Sequence, residues 1–235
     1  MHDIEADFAE FRRLGAYERD WTAWGNLFTD DALYVDHASQ IRLRGGREFA
    51  AHVHSAMAAV APMTFSIDWW IVDGGWVAMY IWNHLPDPAG AGERFGFPNI
   101  TLLHFDGDGR CDVEEDFYNP ADAAAVVTRW YVAGGLAEQE PDRSLTGHEG
   151  HAPDLSQIVV SRSELEVEFA RFCARTRQAV ASGDWVSWAQ QFTSRASIHD
   201  HGVGRFAGRT AIGEAASRMA HAIVRRRGRG STLVM

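Results

Sequence analysis

Two short stretches of this sequence carry the same pair of proton-handling side chains. "DDALYVDHAS" holds Asp36-His37 and "SRASIHDHGV" holds Asp200-His201, each just after a short apolar run. A carboxylate or an imidazole can take and return a proton near neutral pH when its surroundings tune its acidity. A third acidic stretch, "CDVEEDFY", sets Asp112, Glu114 and Asp116 at alternate positions. On a strand these three share one face, while Val113, Glu115 and Phe117 share the other. Burial strips water from a charged carboxyl, raises its pKa, and moves it toward the range where it serves as acid and base alike. Asp36 is the leading candidate for proton transfer and Asp116 the second, as acid or water activator. His37 joins them if the strand ends at Asp36, since successive side chains on a regular strand point to opposite faces.

Other chemistries are poorly provided for. His52 and His54 stand two apart on a helical run, so they point in different directions and cannot clamp one ion. Cys111 and Cys173 are the only cysteines and lie far apart, so no metal site is expected. Gly74-Gly75 and Gly107-x-Gly109 close hairpins instead of opening helices, which argues against a phosphate loop. Gly-x-Ser-x-Gly is absent, which argues against a serine hydrolase. A net charge of −10 argues against a nucleic-acid partner, because phosphate binding rests on Lys and Arg. The two cysteines, the acidic start "MHDIEADFAEF" and the lack of a long apolar run together predict a cytoplasmic protein without a membrane partner. Nine Trp and thirteen Phe form a heavy aromatic load, suited to a core or to the walls of an apolar pocket.

These residues need elements to position them. Phe8, Phe11 and Leu14 recur at helical spacing, and Asp20 is a plausible N-cap for a second helix through Phe28. "ALYVD" is a short strand, and "GGREFAAHVHSAMAAV" a third helix. Four longer strands follow: "MTFSIDWWIV", "WVAMYIWNHL", "RFGFPNITLLHF" and "RCDVEEDFY". Turns at Asp73-Gly74-Gly75 and Asp106 to Gly109 join them in hairpins, and "ADAAAVVTRWYVA" forms a helix behind them.

The second Asp-His pair belongs to an internal repeat. "DWTAWGNLFTDDALYVDH" aligns without gaps on "DWVSWAQQFTSRASIHDH", and Gly46-Arg47 matches Gly208-Arg209 after a short deletion. The second copy supplies helices and one strand, and nothing after Met219 resembles the four long strands. The expected organisation is a first domain over 1–134, a linker over 135–160 and a partial second copy over 161–235.

The order helix, helix, short strand, Gly-Arg-led helix and long sheet, with "FTDDALYVDH", "FDGDGRC" and "EEDFYNP", resembles the nuclear transport factor 2-like (SnoaL-like) superfamily. That resemblance implies an α+β fold, a cone-shaped curved antiparallel sheet with helices on its concave side around an apolar pocket, and an incomplete, mainly helical second copy. It also implies a homodimer and chemistry without a cofactor. The ketosteroid isomerases, which the chain resembles in "TDDALYVDH", carry their general-base Asp at the place of Asp36, with Thr101 where their hydrogen-bonding acid stands. The limonene epoxide hydrolases resemble the "EEDFYN" end and place a catalytic Asp at Asp116, while Ile81 and Asn83 replace their Arg and second Asp. On this register Trp24, Phe28, Trp69 or Trp70, Phe95 and Phe97 supply apolar walls. Tyr34, Asn83, Asn99, Thr101 and Tyr118 face a substrate oxygen.

The expected activity is an isomerisation, cyclisation or dehydration of a small, apolar, oxygenated metabolite such as a polyketide or terpenoid. Two alternatives stand beside it. One is an epoxide hydrolase, against which Ile81 counts. The other is a non-catalytic binding or assembly module like the small subunits of ring-hydroxylating dioxygenases, which "EFRRLGAYERDWTAWGNLFTDDALY" also resembles. A cone filled by its own side chains would favour the module, and an open cavity with Asp36 on its wall would favour an enzyme.

Overall fold

The computed structural model describes residues 3–145, 149–151, 160–200 and 203–229. His201 of the second Asp-His pair lies outside them. The chain divides into two compact units, Met1–Asp154 and Leu155–Met235.

The first unit begins with α1 (Ile4–Arg12), capped by the Asp3 carboxylate, which accepts from the N–H groups of Glu5 and Ala6. The helix then widens into a π turn over Arg13–Glu18 and ends at Arg19 in the left-handed region. Asp20 caps α2 (Trp21–Gly25) through the Ala23 N–H. This helix is shorter than the expected run to Phe28. Gly25 lies so close to α3 (Gly46–Ala58) that a Cβ on Gly46 would stand 2.2 Å from the Gly25 carbonyl oxygen. The chain turns away there, and Phe28 opens β1 (Phe28–Asp36) instead. This close approach is the physical content of the Gly-Arg signature, because only a residue without Cβ fits.

Strand β2 (Ile41–Arg44) went unread in the sequence, although Ile41 and Leu43 turn inward and Arg42 and Arg44 outward. Strands β3 (Thr64–Asp73), β4 (Trp76–Leu85), β5 (Phe95–Phe105) and β6 (Cys111–Phe117) form the expected meander. Asn119 then caps α4 (Pro120–Val132), with Pro120 at its first position.

The sheet runs β2-β1-β6-β5-β4-β3-β7, where β7 is Glu149–His151. It is mixed, which corrects the expectation of an antiparallel sheet: β6 pairs parallel with β1, and β7 parallel with β3. The meander's three reversals return β6 in the direction of β1, so parallel pairing is the only closure left to it. Strand β7 also shows that the stretch 135–160, expected to be linker, contributes an edge strand. Irregularities in register at Ile67/Trp69, His104/Phe105 and Phe28/Leu33 bend the strands, as bulges do.

Two apolar clusters hold this unit. The larger packs Phe8, Phe11, Trp24, Phe28 and Phe49 against Ile67, Val77, Met79 and Leu103. The smaller joins Met63, Leu85, Phe95 and Phe97 to Val126 and Trp130 on α4.

The second unit contains α5 (Arg162–Ser182), α6 (Trp185–Ala189), a two-stranded ribbon of β8 (Ser197–Asp200) and β9 (Gly204–Ala207), and α7 (Arg209–Arg229). Ser161 and Glu164 form a reciprocal capping box that starts α5. Asp184 caps α6 as Asp20 caps α2. Phe169 and Val186 are exposed, as expected where helices have no large sheet to cover them.

Candidate active site

A cavity of about 320 Å³ lies between the sheet and the helices of the first unit. Strand register explains its polar wall. Asp36 is paired with Asp116 across β1 and β6, Asp116 with Thr101 across β6 and β5, and Thr101 with Met79 across β5 and β4. Registered partners share a face of the sheet, so one row carries Asp36, Asp116, Thr101 and Met79 into the cavity. The neighbouring pair Tyr34 and Glu114 faces the same way.

Asp116 is the most heavily engaged group on this wall. Its Oδ1 accepts from Asn99 Nδ2 at 2.9 Å and Thr101 Oγ1 at 2.5 Å, and its Oδ2 accepts from the Tyr34 hydroxyl at 3.0 Å. It is enclosed by protein atoms but open to the cavity itself, so a ligand could reach it where bulk water is scarce. Burial raises its pKa above the ordinary carboxylate range, and the nearby Asp36 charge adds to that. The bonds from Thr101, Asn99 and Tyr34 oppose it.

Asp36 has a different setting. Its Oδ1 accepts from the backbone N–H groups of Ala38 and Ser39 at 2.8 and 2.9 Å, closing the turn after β1. Its Oδ2 accepts from the Ser39 hydroxyl and from Tyr118 Oη at 3.0 Å. With 6% of its surface exposed it lines the cavity, yet four donors already occupy it.

Of the other residues expected here, Trp24, Tyr34, Ile81, Asn83, Phe97, Asn99, Thr101 and Tyr118 line the cavity. Asn83 donates one N–H to the Phe97 carbonyl at 3.3 Å. Four expectations are corrected. Phe95 is sealed in the smaller cluster and Trp70, the alternative to Trp69, in the larger one, and neither lines the cavity. His37 faces the other side of the sheet, where it pairs with Glu115 at 2.7 Å and stacks on Phe117, because β1 stays regular through Asp36. Trp69 stacks on Tyr80 and does not line the cavity; the register shift after Ile67 turns it away. Phe28 is sealed in the core between Phe11, Trp24 and Phe49.

Glu114 escaped the sequence reading, though alternation had set it on the face of Asp116. It is 5% exposed, and its Oε2 has no hydrogen-bond partner. Burial first, and the Asp116 charge second, push its pKa well above the glutamate range. The folded chain therefore keeps a proton that the unfolded chain releases, and stability falls as pH rises above the ordinary glutamate range. Glu114→Gln, which cannot ionise, should gain stability relative to the unaltered protein as pH rises above the ordinary glutamate value, by about 1.4 kcal/mol for each pH unit until the folded Glu114 itself ionises. The gain should vanish toward about pH 4, where the unfolded glutamate is protonated too. Thermal melts of both proteins across this range check it.

The SnoaL-like domain family model matches residues 9–113. No curated protein matches the chain by sequence. Among solved structures, the chain is similar to a protein from Shewanella putrefaciens CN-32 described as a SnoaL-like polyketide cyclase. The two share 18% identity over 55% of this chain and 88% of that one, with a TM-score of 0.47. A protein of ketosteroid isomerase-like fold from Catenulispora acidiphila shares 24% identity over 55% of this chain and 96% of that one, with a TM-score of 0.41. An epoxide hydrolase from M. tuberculosis, like the limonene enzymes, shares 22% identity over 53% and 90%, with a TM-score of 0.42. The SnoaL-like fold family includes isomerases, cyclases and epoxide hydrolases that work without a cofactor.

Proposed function

We propose that the SnoaL-like domain is a proton-transfer enzyme that isomerises, cyclises or dehydrates a small, largely apolar, oxygenated metabolite without a cofactor. The observation that carries this reading is Asp116: a carboxyl reachable from an apolar cavity, deprived of bulk water, and fixed by three side-chain donors. A general base works best with a raised pKa and a fixed orientation; burial raises the pKa of Asp116, and three donors fix its carboxyl.

In this reading Asp116 removes a proton from a carbon beside a carbonyl and later returns it. The charge that develops on the carbonyl oxygen is met by the second N–H of Asn83 and by protonated Glu114. Asp36 changes role from the sequence-based expectation. Its oxygens hold the turn and take the Tyr118 O–H, so it fixes that part of the wall and supplies the charge that makes Asp116 more basic.

The open cavity, with Asp36 and Asp116 on its wall, favours an enzyme over an assembly module. Epoxide hydrolysis is less well supported, because Ile81 lines the wall where that chemistry places an Arg. A homodimer in the cytoplasm, with a small apolar metabolite as partner, remains part of the proposal.

Nitrobenzisoxazole tests the base without knowledge of the substrate. A carboxylate takes its ring C–H proton, that electron pair forms the nitrile as the N–O bond breaks, and a coloured phenolate is released. Turnover should be saturable and should exceed that of acetate buffer. Only ionised Asp116 accepts the proton, so kcat/KM should climb with pH through an inflection above the usual carboxylate value of about 4. An inflection at that ordinary value, or no saturable turnover, would remove Asp116 as the base.

A further inference from the structure

The helical wall of the cavity holds a cation that the proposed chemistry leaves idle. Arg12, at the end of α1, lines the cavity with its guanidinium carbon 4.5 Å from the centre of the Trp70 ring and 4.9 Å from that of Phe8. Its Nε is buried without an acceptor, and among the described residues no hydrogen bond or ion pair reaches its guanidinium. Its neighbour Arg13 behaves as a surface arginine does, paired with Glu10 at 2.6 Å and Glu18 at 2.5 Å.

A second orphan donor shares this wall. Trp24 Nε1 is buried without an acceptor and stands 2.9 Å from where a Cβ on Gly15 would be. Gly15 follows Arg12 by three residues, across the junction where α1 widens into the π turn, and lines the same cavity. Such π insertions recur at functional sites. A buried donor without an acceptor costs about 1–3 kcal/mol. Trp24 Nε1 is covered by Gly15, so of the two it is the Arg12 guanidinium that is placed to meet an acceptor arriving with a ligand.

The chemistry of that acceptor can be narrowed. A guanidinium held by two rings presents a fixed planar fork, which matches the two oxygens of a carboxylate. Arg12 is the only Lys or Arg on this wall among the described residues, too little charge for a phosphate dianion. The rest of the lining is mostly apolar, and burial drives Glu114 toward its uncharged form, which lowers its repulsion of an anion.

We propose that the cavity recognises an otherwise apolar molecule through a carboxylate that pairs with the Arg12 guanidinium. This names the substrate class for the reading above and rests on it only in taking the occupant to be the substrate. Calorimetric titration of the full chain with naphthoate and with naphthamide, its uncharged isostere, tests it. The carboxylate should bind at least about tenfold tighter, in line with a charge-assisted, bidentate contact. Arg12→Gln should bring the two affinities together, and Arg12→Lys, which keeps the charge and loses the fork, should leave an intermediate ratio. If Arg12→Gln fails to fold by near-ultraviolet dichroism, the Arg12→Lys ratio decides. Equal affinities in the unaltered protein, no binding of naphthoate, or a preference that survives the Arg12 substitutions would each overturn the proposal. The ratio is read from binding alone, so loss of the Asp116 assignment leaves it standing, and equal affinities leave Asp116 untouched.

Discussion

Asp116→Asn should lower nitrobenzisoxazole turnover by about 10²–10⁴, the usual contribution of a positioned general base. The substitution keeps shape and volume. An amide oxygen in the place of Oδ1 can still accept from Thr101 and Asn99, and the amide nitrogen can donate to the Tyr34 hydroxyl, so the wall should stay closed. It removes the charge, and with it the capacity to bind a proton. Two readouts separate loss of the base from loss of the fold: the melting temperature should change little, and the remaining turnover should lose its pH dependence. Asp36→Asn makes the useful contrast. It weakens the turn and withdraws a negative neighbour from Asp116, so activity should fall less and the inflection should move toward the ordinary carboxylate value. Full turnover in Asp116→Asn, with the loss in Asp36→Asn instead, would return the base to Asp36.

Trp130→Ala should be the most damaging single change to stability, at about 3–5 kcal/mol for removal of a buried large aromatic. Trp130 is fully buried in the smaller cluster, where α4 seals the sheet beside Leu85, Phe95 and Phe97. Its Nε1 donates to the Pro86 carbonyl at 3.0 Å, so the alanine protein also leaves that buried oxygen without its partner. Gly135 packs so close that a Cβ there would stand 2.2 Å from the Trp130 ring, which leaves little room for α4 to collapse into the hole. Denaturant unfolding, compared at constant slope, measures the loss. A change below about 1 kcal/mol would mean that α4 contributes little to closing the first unit.

The distance between sequence and site is shown best by two acidic residues of β6. Alternation in "CDVEEDFY" set Glu114 and Asp116 on one face, and the family resemblance pointed to Asp116. Neither could say that Glu114 is sealed without a partner, because that depends on which strand lies alongside. The parallel pairing with β1 puts Tyr34 beside Glu114 and Asp36 beside Asp116, a neighbourhood made of residues some eighty positions apart. His37 and Trp69 show the same limit from the other side. One residue of strand continuation or one bulge turns a side chain to the opposite face, and neither is written in local composition.

The sequence by itself determined the elements, their order and their punctuation. Helical spacing, Asp and Asn caps, Gly-rich hairpins and strand alternation are local effects, each settled within a few residues. It also determined the stock of possible chemistry: several carboxyls, many rings, and no metal-type or phosphate-type spacing. The tertiary structure decided which carboxyls became a site. It did so by laying strands side by side in one register, by folding α1 and α3 over the sheet to shut out water, and by leaving Arg12 on the helical wall with no counter-ion among the described residues. Desolvation and unmet hydrogen bonds belong to three-dimensional neighbourhoods, so only the folded chain can express them.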